Sequence, residues 1–199
     1  MIRLSKSWWT GNDDPSVTAG GSISNTYDSY VGEYYSGVNY GGATELRTGY
    51  APSVNSHRSY IKFGSTLPGL EGGIITNATF KAYKYYEPSS VDTSVTIHRA
   101  YSSWASSTVK WNNQPGFGGS YSSLNLPKGA ANGWYSWDVS SLADYWYDNP
   151  NNYHGLVMQA SNEDTSGSYR KFYSSDYSGG AYSPKTRNHL FSKAISTYR

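Results

Sequence analysis

Short runs of alternating apolar and polar residues, separated by turns rich in glycine and proline, are the feature that most constrains how this chain folds. The clearest runs are HRSYIKF (57–63), ATFKAYKYY (78–86), SVTIHRA (94–100), GLVMQA (155–160) and YRKFYSS (169–175). Side chains that alternate with a period of two point to opposite faces of a strand. Each run therefore predicts a β-strand with one face in an apolar core.

The segments between these runs predict turns, and only one segment predicts a helix. LPGLEGG (67–73) and NNQPGFGG (112–119) are typical turn clusters. DVSSLADYWYDN (138–149) has apolar residues at helical spacing and predicts one short helix. We therefore expect an all-β fold, a jelly-roll-like antiparallel β-sandwich with one short helix.

One domain accounts for most of the chain in this interpretation. Residues 1–22 are less regular than the rest, and we expect them to form an irregular N-terminal lead-in. Residues 23–199 are expected to form a single β-sandwich domain, because no linker or shift in composition interrupts them. The C-terminal residues 183–199 are atypical, since Pro184 is followed by a poor strand opening.

Composition excludes several classes of protein. With 16 basic and 14 acidic residues in 199, the net charge of +2 is too small to predict nucleic-acid binding. There is no cysteine, which excludes thiolate metal sites and disulfides, and no segment is apolar for the length of a membrane span. The marked excess is aromatic: 21 Tyr and 7 Trp favour a half-wet surface that contacts something polar.

The order of several motifs resembles that of a known family. YDSYV (27–31), NYGGATELRTGY (39–50), TVKWNNQP (108–115), GWYSWDVSSLADYW (133–146) and KFYSSD (171–176) follow one another as in the DNRLRE domain. That family occurs on bacterial and archaeal surfaces and is classed as a carbohydrate-binding module with alginate-binding members. The resemblance covers roughly residues 25–178. It implies a jelly-roll sandwich attached to secreted or cell-wall proteins, without catalysis of its own.

Two triplets of aromatic and basic residues are the first candidates for ligand binding. They occupy the outward positions of two predicted strands, and they are Arg58, Tyr60 and Lys62, and Tyr169, Lys171 and Tyr173. Aromatic rings stack on sugar rings, and Arg or Lys pairs with carboxylate or sulfate groups. If the two strands are neighbours, the triplets form one basic platform for an acidic polysaccharide. The alternative is that Arg58 and Arg170 support loops, while the Tyr and Lys side chains only cover an exposed sheet face.

The segment GEYYSGVNYGG (32–42) is a second candidate, and we call it the tyrosine loop. It presents Tyr34, Tyr35 and Tyr40 between glycines, and loops commonly carry the binding residues of β-sandwiches. The alternative is a loop that folds back on the sheet edge. In contrast, we assign Trp111 and the amides that follow it to the scaffold, because such runs close turns with backbone hydrogen bonds.

Catalysis and cofactors are not expected. The carboxylates lie in no motif that singles out a pair, and the four histidines lack metal-type spacing. No cofactor is required, although a structural calcium ion is an option in the oxygen-rich loops GNDDP (11–15) and SNEDTSG (161–167).

The sequence therefore predicts a non-catalytic, extracellular module, secreted or at the cell surface, that binds an acidic polysaccharide. It predicts no nucleic-acid partner and no membrane insertion. A structural subunit of a surface fibre, adhesin or cell-wall protein is the alternative, with self-assembly or attachment to a larger surface protein. A polysaccharide lyase or glycoside hydrolase is the less favoured third option.

Overall fold

Twelve β-strands and one α-helix make up the regular structure in this computed structural model, which describes residues 26–64, 77–88 and 91–178, together with 17–18, 182, 184–186 and 192–193. The strands are β1 Val17–Thr18, β2 Thr26–Gly32, β3 Glu45–Ala51, β4 Asn55–Phe63, β5 Thr79–Tyr86, β6 Thr93–Ala100, β7 Phe117–Leu126, β8 Gly133–Asp138, β9 Leu156–Ala160, β10 Arg170–Tyr173, β11 Lys185–Thr186 and β12 Ser192–Lys193. The helix α1 spans Ser140–Asp148. The prediction of an all-β sandwich with one short helix is confirmed.

Strands β2–β10 form two antiparallel sheets that share β3, while β11 pairs with part of β5 and β1 pairs separately with β12. The first sheet has the order β2–β4–β9–β6–β7, and the second has the order β8–β5–β10–β3. β3 pairs with β10 through Glu45–Thr48 and then with β4 through Gly49–Ala51. Gly49 has a φ of 89°, and a Cβ there would lie 2.3 Å from the carbonyl oxygen of Ser168, so this crossing requires glycine. Because β3 joins both sheets, the sandwich is nearly barrel-like.

The main core lies between the two sheets. It contains Phe80, Trp137 and Phe172 from the second sheet and Ile61 and Ile97 from the first. The indole nitrogen of Trp137 donates a hydrogen bond to the carbonyl oxygen of Val95 at 2.8 Å, which ties the sheets together. Each of these side chains stabilises the fold by about 1.5–3 kcal/mol through burial.

The outer faces of the two sheets differ. The outer face of the first sheet is covered by residues 101–116, which we call the covering segment. A second core cluster lies between this segment and the sheet, where Val109, Trp104 and Trp111 of the segment pack with Tyr60 and Val157 of the sheet. The outer face of the second sheet carries tyrosines that are half-buried or exposed.

Both chain ends lie largely outside the described residues. This applies to the predicted lead-in 1–22, apart from β1, which pairs with β12. It also applies to most of 183–199, where Lys185 and Thr186 pair with Lys81 and Phe80 of β5, although a poor strand opening was expected after Pro184. The predicted domain limits stay predictions.

Candidate binding surfaces

An open row of aromatic rings lies on the outer face of the second sheet. Alternation along β5 turns Phe80 and Ala82 into the core, and leaves Tyr83 and Tyr85 outward. The neighbouring strands contribute further outward rings, and residues after β10 add two more. We call this set the tyrosine face, and its members are Tyr83, Tyr85, Trp134, Tyr173, Tyr177 and Tyr182.

The rings of the tyrosine face hold one another in place. Tyr83 and Trp134 are cross-strand partners with ring centroids 5.6 Å apart and rings at 90°. Tyr173 stacks on Tyr85 at 4.3 Å and on Tyr177 at 3.8 Å. Trp134 is 40% exposed and Tyr182 is 39% exposed. The outer rings are therefore accessible to a ligand, while the inner rings fix the shape of the surface.

Glu45 of β3 forms ion pairs with two cations at the edge of the tyrosine face. Lys171 Nζ lies 3.1 and 3.2 Å from its two carboxylate oxygens, and Arg47 Nε lies 2.5 Å from Oε1. The hydroxyl of Tyr85 donates to the same carboxylate. Burial would raise the pKa of Glu45, but hydrogen bonds from Tyr85 and Lys171 and the charge of Arg47 lower it overall. Two cations thus share one carboxylate, which leaves one positive charge in excess.

The tyrosine loop continues from this charged cluster. Tyr34 and Tyr35 are 59% and 56% exposed, with their rings edge to face at 4.7 Å. Tyr40 instead stacks on the buried ring of Tyr30 at 4.1 Å, and Arg47 lies 4.5 Å from the centroid of that ring. The loop therefore combines two accessible rings with one anchoring ring, and Arg47 connects it to Glu45.

The first predicted triplet does not form a platform. Tyr60 is fully buried beneath the covering segment, where its hydroxyl donates to the carbonyl oxygen of Pro115 at 2.9 Å. Tyr60 lies on the face opposite Ile61 and Phe63 as predicted, but the prediction that it is exposed there is wrong, because that face is covered and forms a second core. Arg58 forms a two-point ion pair with Glu163, with Nε–Oε1 at 2.9 Å and Nη2–Oε2 at 2.7 Å. Its guanidinium also lies 4.7 Å from the ring centroid of Trp111.

The second triplet is divided between core and surface. Tyr169 is 6% exposed and packs edge to face on His57 at 5.3 Å, so its ring is internal. Lys171 and Tyr173 are partly exposed; Lys171 belongs to the cluster around Glu45, and Tyr173 belongs to the tyrosine face. The two predicted strands are not neighbours, because β3 lies between β4 and β10. The expected single platform does not form.

The run after Trp111 has the structural role that its composition indicates. Trp111–Asn113 form one turn of 3₁₀ helix. The side chain of Asn113 accepts the backbone N–H of Lys110 at 2.7 Å and donates to the carbonyl oxygen of Thr108 at 3.1 Å. Gln114 donates to the carbonyl oxygen of Trp111 at 3.0 Å. These amides bond to backbone groups and hold the covering segment in its turn.

Lys62, the third member of the first triplet, lines a cleft of about 320 Å³ to which Arg58 and Tyr60 do not contribute. The cleft is lined by Tyr27, Lys62, Gly64, Trp104 and residues 105–107. Sequence reasoning selected only Lys62 from this group. It also missed Tyr83, Tyr85, Trp134, Tyr177 and Tyr182, although the alternation along 78–86 placed the first two outward.

The acidic loop 161–167, predicted as an optional calcium site, does not bring its carboxylates together. Glu163 pairs with Arg58 and accepts a hydrogen bond from Gln159 at 2.8 Å. Within the described ranges, no three His, Cys, Asp or Glu residues are grouped so that they could hold a metal ion. The other predicted calcium loop, 11–15, lies outside them. None of the described helices has the length and apolar character that a membrane crossing requires.

Comparison with known proteins adds a family to this geometry. The chain matches no curated protein. The sequence model of carbohydrate-binding module family 96 matches residues 21–182, which is well over half of the chain and includes both sheets. The match spans the tyrosine loop, the covering segment and all of the tyrosine face. This chain belongs to carbohydrate-binding module family 96.

Proposed function

We propose that the chain is a non-catalytic, extracellular module that binds an acidic polysaccharide along the tyrosine face. One observation carries this proposal. A contiguous row of rings lies on one sheet face, and it adjoins the two cations at Glu45. Family membership supplies carbohydrate as the class of ligand. The tyrosine face adds a location, and the cations add a preference for negative charge.

Stacking supplies the first part of the binding mechanism. The C–H surface of a sugar ring is apolar and packs on the face of an indole or phenol, whose polar tip stays in water. Trp134 and Tyr182 are the exposed members of the tyrosine face. Contacts between rings are each worth about 0.5–1.5 kcal/mol beyond burial, so several are needed for useful affinity. A repeating polysaccharide meets this requirement because it presents many rings in succession.

Charge supplies the second part. Arg47 and Lys171 are each about one quarter exposed, with side-chain values of 22% and 24%, and they share Glu45. A ligand carboxylate can therefore pair with these cations without leaving Glu45 unpaired. Arg offers a fork of donors that fits a carboxylate at two points. Such pairing is screened by salt, so affinity for a charged glycan should fall as ionic strength rises.

The non-catalytic part of the proposal is supported by how three of the carboxylates are used. Glycoside hydrolysis needs two carboxyl groups on either side of the scissile bond. Glu45 is held by Arg47 and Lys171, while Glu163 is held by Arg58. Asp28 is buried, with 2% exposure. These three carboxylates have internal partners or lie out of reach of a polymer.

Affinity electrophoresis and calorimetry with alginate, pectate, chitin and cellulose test the proposal. We expect alginate or pectate to bind at micromolar to millimolar concentration, with weaker binding at high salt, and the neutral polymers to bind less. Absence of binding to both acidic polymers at millimolar concentration would overturn the acidic-glycan proposal. Formation of new reducing or unsaturated ends during the same incubations would favour the lyase or hydrolase alternative.

A further inference from the structure

The cleft beside Lys62 lies on the first sheet and shares no residue with the tyrosine face. Tyr27 of β2 and Lys62 of β4 are cross-strand partners, so their side chains leave the sheet side by side. Trp104 and residues 105–107 of the covering segment form the opposite wall. The volume of about 320 Å³ is at the lower end of the range for small-molecule sites, which is about 300–1,000 Å³. It suits one or two sugar units and not an extended chain.

The walls of the cleft are fixed before any ligand arrives. The indole nitrogen of Trp104 donates to the carbonyl oxygen of His154 at 2.6 Å. The side-chain amide of Asn39 donates to the carbonyl oxygens of both Ser106 and Val109, each at 2.7 Å. A Cβ at Gly41 would lie 2.0 Å from the Ser106 carbonyl oxygen, so the tyrosine loop approaches this wall as closely as glycine allows. A preformed site loses little entropy on binding.

Lys62 gives the cleft an ammonium group that is available to a ligand. The described residues form five ion pairs, and Lys62 is in none of them. Its Nζ lies 5.2 Å from the ring centroid of Tyr153, which orients the amine. Arg99 is a second positive charge near the cleft. Burial lowers the pKa of the neighbouring His154, and the charges of Lys62 and Arg99 lower it further. The surroundings therefore favour a negative group.

The walls also present the other groups that a sugar ring requires. Tyr27 is 46% exposed and Trp104 is half-buried, so both aromatic side chains border the cavity. Ser106 and Ser107 are polar residues that line the same rim. Apolar walls with a few converging polar groups and one charge are typical of a site for a small polar ring.

We propose that this cleft is a second ligand site, which takes a single anionic sugar ring with its carboxylate or sulfate paired to Lys62. The inference rests on the proposed function for its ligand class alone, since its location and its walls are independent of the tyrosine face. The tyrosine face binds the interior of a chain, and the cleft binds a chain end or a short side branch. With two sites on different sheets, one module links two segments of polysaccharide, and avidity exceeds the affinity of either site.

Galacturonate and galactose form the matched probe pair, because they differ only in the charged carboxylate. Backbone amide spectra of the intact chain are recorded during titration with each probe. We expect galacturonate to shift the signals of Tyr27, Lys62 and 104–107, and galactose to bind about tenfold more weakly. Lys62→Met should remove that preference. Tyr27→Ala should weaken both probes, and it serves as a second variant if Lys62→Met is poorly folded.

Lys128→Met is the matched control, because it removes one exposed positive charge away from the cleft. Equal galacturonate affinity in the Lys62→Met and Lys128→Met variants would overturn the inference, as would amide signal shifts confined to other surfaces.

The double variant Trp134→Ala, Tyr182→Ala separates the proposal for the cleft from the proposal for the tyrosine face. Galacturonate binding that survives this double variant, with polysaccharide binding reduced, supports both sites. If polysaccharide binding is lost in the Lys62→Met variant and not in the double variant, the proposal for the tyrosine face is overturned and the proposal for the cleft stands. If the polysaccharide binds but galacturonate shifts no amide signal of the cleft residues, only the proposal for the cleft is overturned.

Discussion

The hydroxyl of Tyr60 donates a hydrogen bond to the carbonyl oxygen of Pro115, at 2.9 Å, beneath the covering segment. This contact joins β4 to a residue 55 positions away and closes the outer face of the first sheet. A ring in this position stabilises the fold and is not available to a sugar. The outer face of the first sheet is therefore closed around Tyr60, whereas that of the second sheet carries the exposed rings of Trp134 and Tyr182.

Replacement of Tyr60 by Phe tests this assignment. The variant removes the hydroxyl and leaves the Pro115 carbonyl without its partner, so we expect the free energy of unfolding to fall by about 1–2 kcal/mol. Polysaccharide affinity should stay within twofold of the wild type. Urea unfolding and calorimetry measure the two quantities. Lost affinity with unchanged stability would return Tyr60 to the binding surface.

The sequence predicts the strands better than it predicts what covers them. Alternation correctly placed Phe80 and Ala82 opposite Tyr83 and Tyr85, because a buried face tolerates few polar residues. It could not show that the face of Tyr60 is also buried. Tyrosine is amphipathic, and the segment that covers it comes more than 40 residues later.

The tyrosine face was beyond sequence reasoning for a related reason. β5 and β10 are neighbours only through long-range pairing, at Lys84 with Phe172 for example. Strand order is not encoded in local alternation.

A buried charged group was also not predicted from the sequence. Lys84 and Arg170 occupy core-facing positions, are fully buried, and pair with Glu87 at 3.3 and 3.0 Å. Such a buried group is evident only when all three residues are placed together.

Asp28 is expected to make the protein less stable near neutral pH. It is 2% exposed, and burial raises its pKa from 3.8 to about 6, although the backbone N–H of Ser175 donates to Oδ2 at 2.8 Å. Between pH 4 and 6 the folded state holds the proton that the unfolded state has lost. The Asp28 contribution to stability is therefore present below about pH 4 and is lost as pH rises through about 6.

Asp28→Asn should raise the free energy of unfolding at pH 7.5 by up to about 3 kcal/mol, at about 1.4 kcal/mol per pKa unit. His57 has the opposite dependence, because burial lowers its pKa from 6.5 to about 4 and stability is lost as pH falls through that range. The two contributions largely cancel in the wild type. Between pH 7.5 and 4.5 the free energy of unfolding should therefore fall more in the variant than in the wild type. Urea unfolding at these two pH values measures the difference. A variant with unchanged stability at both pH values contradicts this account.

Glu45 is expected to compete with the ligand for Arg47 and Lys171. Glu45→Gln removes the negative charge and leaves both cations for a ligand carboxylate, so affinity for pectate or alginate at low salt should rise about threefold. Stability should fall, because the Tyr85 hydroxyl and both cations lose their acceptor charge. The gain in affinity should disappear in 1 M NaCl. A lower affinity at low salt would show that Glu45 holds the cations in their binding position.

The affinity of the Trp134→Ala, Tyr182→Ala double variant for pectate and alginate, measured by calorimetry, tests the central claim most directly. Both side chains are exposed, at 40% and 39%, so the fold should tolerate their loss. Tyr101→Ala is the matched control, because Tyr101 is 53% exposed on the covering segment, away from the tyrosine face. We predict at least a tenfold loss of affinity in the double variant and less than a twofold change in the control. Equal affinity in the double variant and the wild type would contradict binding on the tyrosine face.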